Sequence, residues 1–201
     1  MVCISLYTLY TAPLADIIRK RGLLYHLYSD DCQIYVSFKS SPDEVSAALT
    51  KLEDCASEIY AWMACNKLKL NREKTGFLVI HAKHCPCPPI DEITIAGVKV
   101  GKSIKAKNIG VIFDSRMDLE QHIDHICKMA FCHIRSLSRI RNCLSLKDME
   151  TLVHVFITTK LDNCNSLLAG LPQYLIDKLQ RVHNAAGRVV FRTRKYDRIT
   201  P

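Results

Sequence analysis

Two adjacent carboxylates, Asp30 and Asp31, are the residues of this chain best suited to chemistry. They lie in Leu23-Leu24-Tyr25-His26-Leu27-Tyr28-Ser29-Asp30-Asp31-Cys32-Gln33-Ile34-Tyr35-Val36-Ser37-Phe38. Carboxylates this close repel one another unless a positive charge holds them, and a hard cation with oxygen ligands, above all Mg2+, does so. The run Ser29-Asp30-Asp31 is also good turn chemistry, because aspartate tolerates bent backbone and bonds its own main chain. Apolar and aromatic residues on both sides of a short polar break predict two strands joined by a tight turn that carries the acids. Side chains alternate along each strand, which assigns Tyr28, Asp30, Ile34, Val36 and Phe38 to definite faces.

Ahead of the hairpin, residues 5–20 have Leu6, Leu9, Leu14, Ile17 and Ile18 at helical spacing, with Pro13 expected as an interruption and Gly22 as the stop. After the hairpin, Ser41-Pro42-Asp43-Glu44 combines a cap residue, a first-turn proline and an acid three residues past the cap. Val45, Ala48, Leu49, Leu52, Cys55, Ile59, Trp62 and Met63 then predict a long helix lying on one face of a sheet, with Trp62 read as core. Residues 75–80, a hairpin over 93–100 and residues 108–113 read as strands. Asp118 is the expected cap of the next helix, with Gln121 three residues on.

That helix has an apolar stripe of Leu119, Ile123, Ile126, Ala130, Ile134, Leu137 and Ile140, with Lys128, Arg135 and Arg139 opposite. Ser145 is placed to cap a helix through Leu152, Val153 and Phe156. Beyond Gly170-Leu171-Pro172, a last helix carries Leu175, Leu179, Val182, Ala186 and Val189 on one side and Lys178, Arg181, Arg188 and Arg192 on another. Such stripes either follow the phosphates of a nucleic acid or form solvated surfaces. A net charge of +8 over 201 residues favours an anionic partner, and 48% hydrophobic residues suffice for a core.

The ten cysteines are scattered, no Asn-x-Ser/Thr triplet occurs, and no basic leader follows Met1. The expectation is reduced thiols in the cytoplasm or nucleus rather than a secreted protein. No apolar run is long enough to cross a bilayer, so no membrane partner is expected. His81, His84, Cys85 and Cys87 form a metal-like cluster, but the spacing is too tight for separated zinc-ligand pairs, and a proline-stiffened loop is expected instead.

Tyr28-Ser29-Asp30-Asp31 resembles the aromatic-x-Asp-Asp box of reverse transcriptases. Trp62 to Thr75, Asn108 to Asp114, Leu161 to Pro172 and Leu179 to Arg188 are similar, in order, to segments of the non-LTR (LINE-type) retrotransposon branch. The resemblance implies an α+β fold: a partial polymerase palm over 1–115, an antiparallel sheet with helices on one face, followed by a small helical thumb-like bundle over 116–201. It implies an RNA-directed DNA polymerase, a nucleotidyltransferase, acting on an RNA template and a DNA primer. Asp30 and Asp31 would be its catalytic and Mg2+-binding pair in an in-line attack of a primer hydroxyl on a nucleotide.

By the same resemblance Lys74 lies near the incoming nucleotide, although a solvated basic turn is the preferred reading of it, and Gly76 stands where relatives commonly have an acid. The family's earlier catalytic aspartate and Pro-Gln-Gly segment have no counterpart here, and Ser5 to Leu14 resembles only the end of the latter. The expectation is therefore a fragment without polymerase activity on its own. The alternatives are a non-catalytic nucleic-acid-binding or interaction module and a translated remnant that folds poorly. The sequence leaves the oligomeric state open.

Overall fold

The computed structural model describes residues 2–29, 31–71, 74–163 and 165–194. The fold is mixed α+β, and the chain divides into two compact units, 1–108 and 109–201.

The first unit opens with helix α1 (Val2–Lys20), which runs through Pro13 instead of breaking there. Proline cannot give Leu9 its backbone bond. Leu9 is 72% exposed, so water can take that carbonyl. Two residues earlier the Thr11 hydroxyl donates to the Tyr7 carbonyl at 3.0 Å. The helix does stop at Gly22, whose φ of +68° allows the Gly22 N–H to reach Arg19 O and the Leu23 N–H to reach Ile18 O. Ile18 and Leu23, the two apolar residues this cap brings together, are both buried.

Strands β1 (Leu24–Tyr28) and β2 (Asp31–Tyr35) pair antiparallel from Leu24↔Tyr35 to Tyr28↔Asp31. The strand ends at Tyr35, short of the expected Phe38. Helix α2 (Pro42–Cys65) begins at Ser41, as expected, but the Ser41 hydroxyl makes no cap bond. Glu44 instead accepts the Lys39 N–H at 2.9 Å, satisfying a donor ahead of the helix. Leu14, Ile18, Leu23, Cys55 and Ile59 form the core between α1, α2 and the hairpin, with Tyr25, Ile34 and Trp62 packed on it. The Trp62 ring lies 6.2 Å from Tyr10, tilted by 55°. Arg21, just past α1, bonds both Asp54 (3.0 Å) and Glu58 (3.1 Å) on α2.

The remaining strands of this unit do not extend the hairpin's sheet. β3 (Phe77–Leu78), β4 (Glu92–Ile95) and β5 (Val98–Ser103) form a separate sheet in the order β3-β5-β4. Its β3–β5 pair is parallel and its β4–β5 pair antiparallel, where the sequence reading expects an antiparallel sheet. Only two residues of the 75–80 stretch are strand. The Ala96-Gly97 turn has φ of +51° and +75°, the mirror-image turn that suits strand twist. β6 (Lys105–Asn108) closes the unit.

In the second unit, β7 (Val111–Asp114) is shorter than the strand expected from Asn108, because Ile109 and Gly110 turn with φ of +45° and +84°. Helix α3 (Glu120–Ile140) follows, then α4 (Leu146–Val153), α5 (Thr159–Asp162) and α6 (Gln173–Phe191). Ser145 caps α4 by accepting the Asp148 N–H, as expected. Between α4 and α5 the helix widens into a π turn over His154–Thr158. Met149, Val153, Ile157 and Leu161 recur every four residues, which over-rotates an α-helix by about 40° each time. The wider turn absorbs that drift and keeps Ile157 and Leu161 buried beside Met149. Ala130, Ile134, Leu137, Val182, Ala186 and Val190 complete this core, in which α3 lies against α6.

Candidate functional site

The tip of the β1–β2 hairpin is fixed by register. Tyr28 and Asp31 are opposed, which leaves two residues between the strands, and Ser29 has a φ of +55°. Asp30 lies outside the described residues. Asp31 is exposed at the start of β2 and takes part in no ion pair among the described residues.

Directly opposed residues share a face, so Leu24, Tyr35, His26, Gln33, Tyr28 and Asp31 lie on one side of the ribbon. That side is open: Tyr28 is 62% exposed. His26 and Tyr35 stack at 5.5 Å with their rings 24° apart, and the Tyr35 hydroxyl is 3.1 Å from His26 Nε2. Tyr25 and Ile34 point the other way, into the core. A hollow of about 270 Å³ beside the tip is lined by Thr8, Thr11, Asp16, Arg19, Leu27 and Ser29 among others. Asp16 and Arg19 bond each other there at 2.9 Å.

No group of three or more metal-ligating side chains occurs among the described residues. The described part of the tip offers a cation one exposed carboxylate, Asp31. That fits Mg2+ held through one or two carboxylates and its own waters, not an ion enclosed by protein ligands.

Lys74 is exposed on a turn built by Asn71, which accepts the Lys74 N–H and the Thr75 hydroxyl. In the second unit, Lys128, Arg135 and Arg139 are all exposed, spaced by seven and four residues along α3, and so lie along one line of the helix. None of the three joins an ion pair among the described residues.

The four basic residues of α6 are less uniform. Lys178 bonds Asp124 at 2.6 Å and stands 3.7 Å from Glu120, both on α3. The hydrogen bond to Asp124 is the main cause that raises its pKa above the ordinary lysine value. Arg181 is exposed and its Nε donates to the Asp177 carbonyl. Arg188 is half-buried, and Arg192 turns the chain at the helix end with a φ of +55°.

Three residues that organise the second unit escape the sequence reading. Asp114, only 6% exposed, accepts the N–H groups of Arg116 (3.0 Å), Asp118 (3.2 Å) and Leu119 (3.1 Å). It does the work expected of Asp118, which accepts only the Glu120 N–H, while Leu119 takes the cap position with a φ of +59°. An aspartate followed by Ser-Arg at a strand end is the available signal, because such a side chain bonds backbone two residues on.

His122 is 2% exposed and its Nδ1 accepts the Ile112 N–H at 3.3 Å, which requires the neutral ring. Burial, then the charge of His125, lowers its pKa below the usual 6.5. Arg141 donates to the carbonyls of Val189, Val190 and Leu144 at 2.8 to 3.0 Å, closing the end of α6. Neither His122 nor Arg141 belongs to a periodic pattern that would reveal its partner.

No protein-family model, curated protein or solved structure matches the chain.

Proposed function

We propose that this chain is a piece of a non-LTR retrotransposon reverse transcriptase, comprising the acidic hairpin of the palm and a thumb-like helical region. On its own it binds nucleic acid without polymerising. The observation that carries the reading is the hairpin register: Tyr28 opposes Asp31 at a two-residue tip, Asp31 is exposed, and the underside packs on a helical core. A box of this type needs its second acid in the open on a rigid support, because a group must be held in place to act on a reacting phosphate.

In this reading Asp30 and Asp31 hold Mg2+, which when bound supplies charge neutralisation at the phosphates and lowers the pKa of the attacking hydroxyl. Asp31 contributes a carboxylate whose position is set by its strand pairing with Tyr28. The open ribbon face, with Tyr28 and the His26–Tyr35 stack, leaves that carboxylate accessible. Lys128, Arg135 and Arg139 contribute the sequence-independent attraction to phosphates. The resemblance calls for a third acid to which no residue of this chain is matched, and a loss of about 4 kcal/mol of transition-state stabilisation with it would slow the reaction roughly a thousandfold.

Two assays on the full chain test this. Primer extension on an RNA template with Mg2+ is expected to yield no product, and synthesis abolished by Asp30→Ala would overturn the inactivity. Filter binding of an RNA–DNA duplex is expected to weaken with salt, and changing Lys128, Arg135 and Arg139 to Gln should reduce the logarithmic salt slope by roughly 2 to 3. Absence of salt-sensitive binding, or a triple variant that binds like the parent, would remove the nucleic-acid reading.

A further inference from the structure

The loop between β3 and β4 holds two cysteines separated by one proline, Cys85-Pro86-Cys87, and both are exposed. Its backbone is tied on each side. The Cys85 N–H bonds Ala82 O at 3.0 Å, and His81 Nδ1 lies 3.1 Å from the Cys85 carbonyl and 3.2 Å from that of Ala82, so it donates to them. On the far side the Ile90 N–H bonds Pro88 O at 2.8 Å, and Ile90 is buried. Pro86 fixes its own φ and holds Cys85 extended.

Two residues apart, the two Cα atoms are separated by at most about 7 Å. That bound lies just above the roughly 4.4–6.8 Å that a disulfide bridges, so closing one requires the loop to contract. A second feature distinguishes the pair. The Lys102 ammonium donates to Cys87 Sγ at 3.7 Å, and Lys102 is itself held because its N–H bonds Asp91 O at 2.7 Å. This contact singles out Cys87 from Cys85 and seats its sulfur beside a side-chain ammonium.

We infer that Cys85 and Cys87 form an exchange-active dithiol that reacts with small disulfides of the glutathione class, with Cys87 as the attacking sulfur. Cys87 gives its proton to water and its thiolate attacks one sulfur of glutathione disulfide. The S–S bond breaks, one glutathione leaves as thiolate, and a mixed disulfide remains on Cys87. Cys85 then loses its proton and attacks Cys87 Sγ, expelling the second glutathione as thiolate. The two cysteines are oxidised by two electrons and the glutathione disulfide is reduced; the two protons end on the departing thiolates. The ring closed across Pro86 is small and exposed, the kind of disulfide that a thiol readily reopens. Cys65, Cys132 and Cys143 are exposed too, but none has another cysteine within two residues, and they serve as internal controls.

The test uses the full reduced chain, glutathione disulfide, quenching with N-ethylmaleimide and peptide mapping without reductant. The expected product is the 81–90 region lighter by two hydrogens, with Cys85→Ser arrested as a glutathione adduct on Cys87. Lys102→Met should slow alkylation of Cys87 by iodoacetamide about two- to fivefold while Cys65 and Cys132 react as before, and Lys102→Arg should restore the rate. The inference is overturned if Cys85 and Cys87 stay as dithiol while the control cysteines take up glutathione. It is equally overturned if Cys87→Ser gains an adduct on Cys85 as fast as Cys85→Ser does on Cys87, or if Lys102→Met leaves Cys87 unchanged.

Discussion

Replacing Asp114 by Asn asks how much of the second unit depends on one carboxylate. Oδ1 accepts the N–H groups of Arg116 and Asp118, and Oδ2 that of Leu119. An asparagine has one oxygen, so its best pose keeps the first two bonds and turns an NH2 donor toward the Leu119 N–H. One bond to a charged acceptor is lost, about 1.5–3 kcal/mol, and the other two weaken to the neutral range. Relief from burying a charge offsets part of this. Met117 and Leu119 both have positive φ, at about 1–2 kcal/mol each for side-chain-bearing residues, and the carboxylate's bonds hold that backbone in place.

The net expectation is a loss of about 2–3 kcal/mol, which for a typical urea dependence moves the midpoint down on the order of 1 M. Asp114→Ala, which removes all three bonds, should lose about 3–5 kcal/mol. Urea unfolding followed by circular dichroism gives the midpoint, and amide exchange over residues 116–123 locates the loosening. An Asn variant whose midpoint stays within about 0.3 M of the parent, with unchanged exchange at Leu119 and Ile123, would show that the loop holds its shape without the carboxylate.

Arg141→Lys retains the charge but gives up the fork that reaches Val189, Val190 and Leu144; the expected cost is about 1–3 kcal/mol, seen as a melting temperature lower by roughly 2–8 °C with faster exchange near Thr193. His122 has its folded pKa below 6.5, so above 6.5 both states are neutral and it makes no difference to stability. As pH falls below 6.5 the unfolded chain takes the proton that the folded ring refuses, and stability declines by at most about 1.4 kcal/mol per pH unit. Urea midpoints measured from pH 7.5 to 5 should show this decline, and His122→Phe should flatten it; an equally steep fall in the variant would assign the effect elsewhere.

Local patterns were the legible part of this chain. Gly22 stops a helix because a residue free of Cβ sits easily at its φ, and Gly97 marks the hairpin turn by the same logic. The apolar stripe of α3 is visible because burial and the helical repeat coincide from Ile123 to Leu137, although Ile140 at its end is exposed. What stayed hidden depends on partners distant in sequence or on choices between similar residues. Asp114 and Asp118 are chemically identical, and only the fold shows which of them is enclosed. Arg141 meets carbonyls 48 and 49 residues away. The separate three-stranded sheet follows from a parallel pairing of β3 with β5, which two residues of strand cannot announce. At the candidate site the hairpin was readable from residue types, the commitment of Lys178 to Asp124 was not, and Asp30 lies outside the described residues.

Trp62 is the chain's single tryptophan, and it is half-buried against the core of residues 1–108. Indole emission excited at the red edge, where tyrosine absorbs little, is therefore a gauge of that half alone, quenched or shifted as the ring leaves Tyr10 for water. Residues 109–201 contribute no such chromophore, so their melting is silent in that signal while it remains visible in the amide bands of their helices. One cuvette thus resolves two halves that a single far-ultraviolet trace would merge.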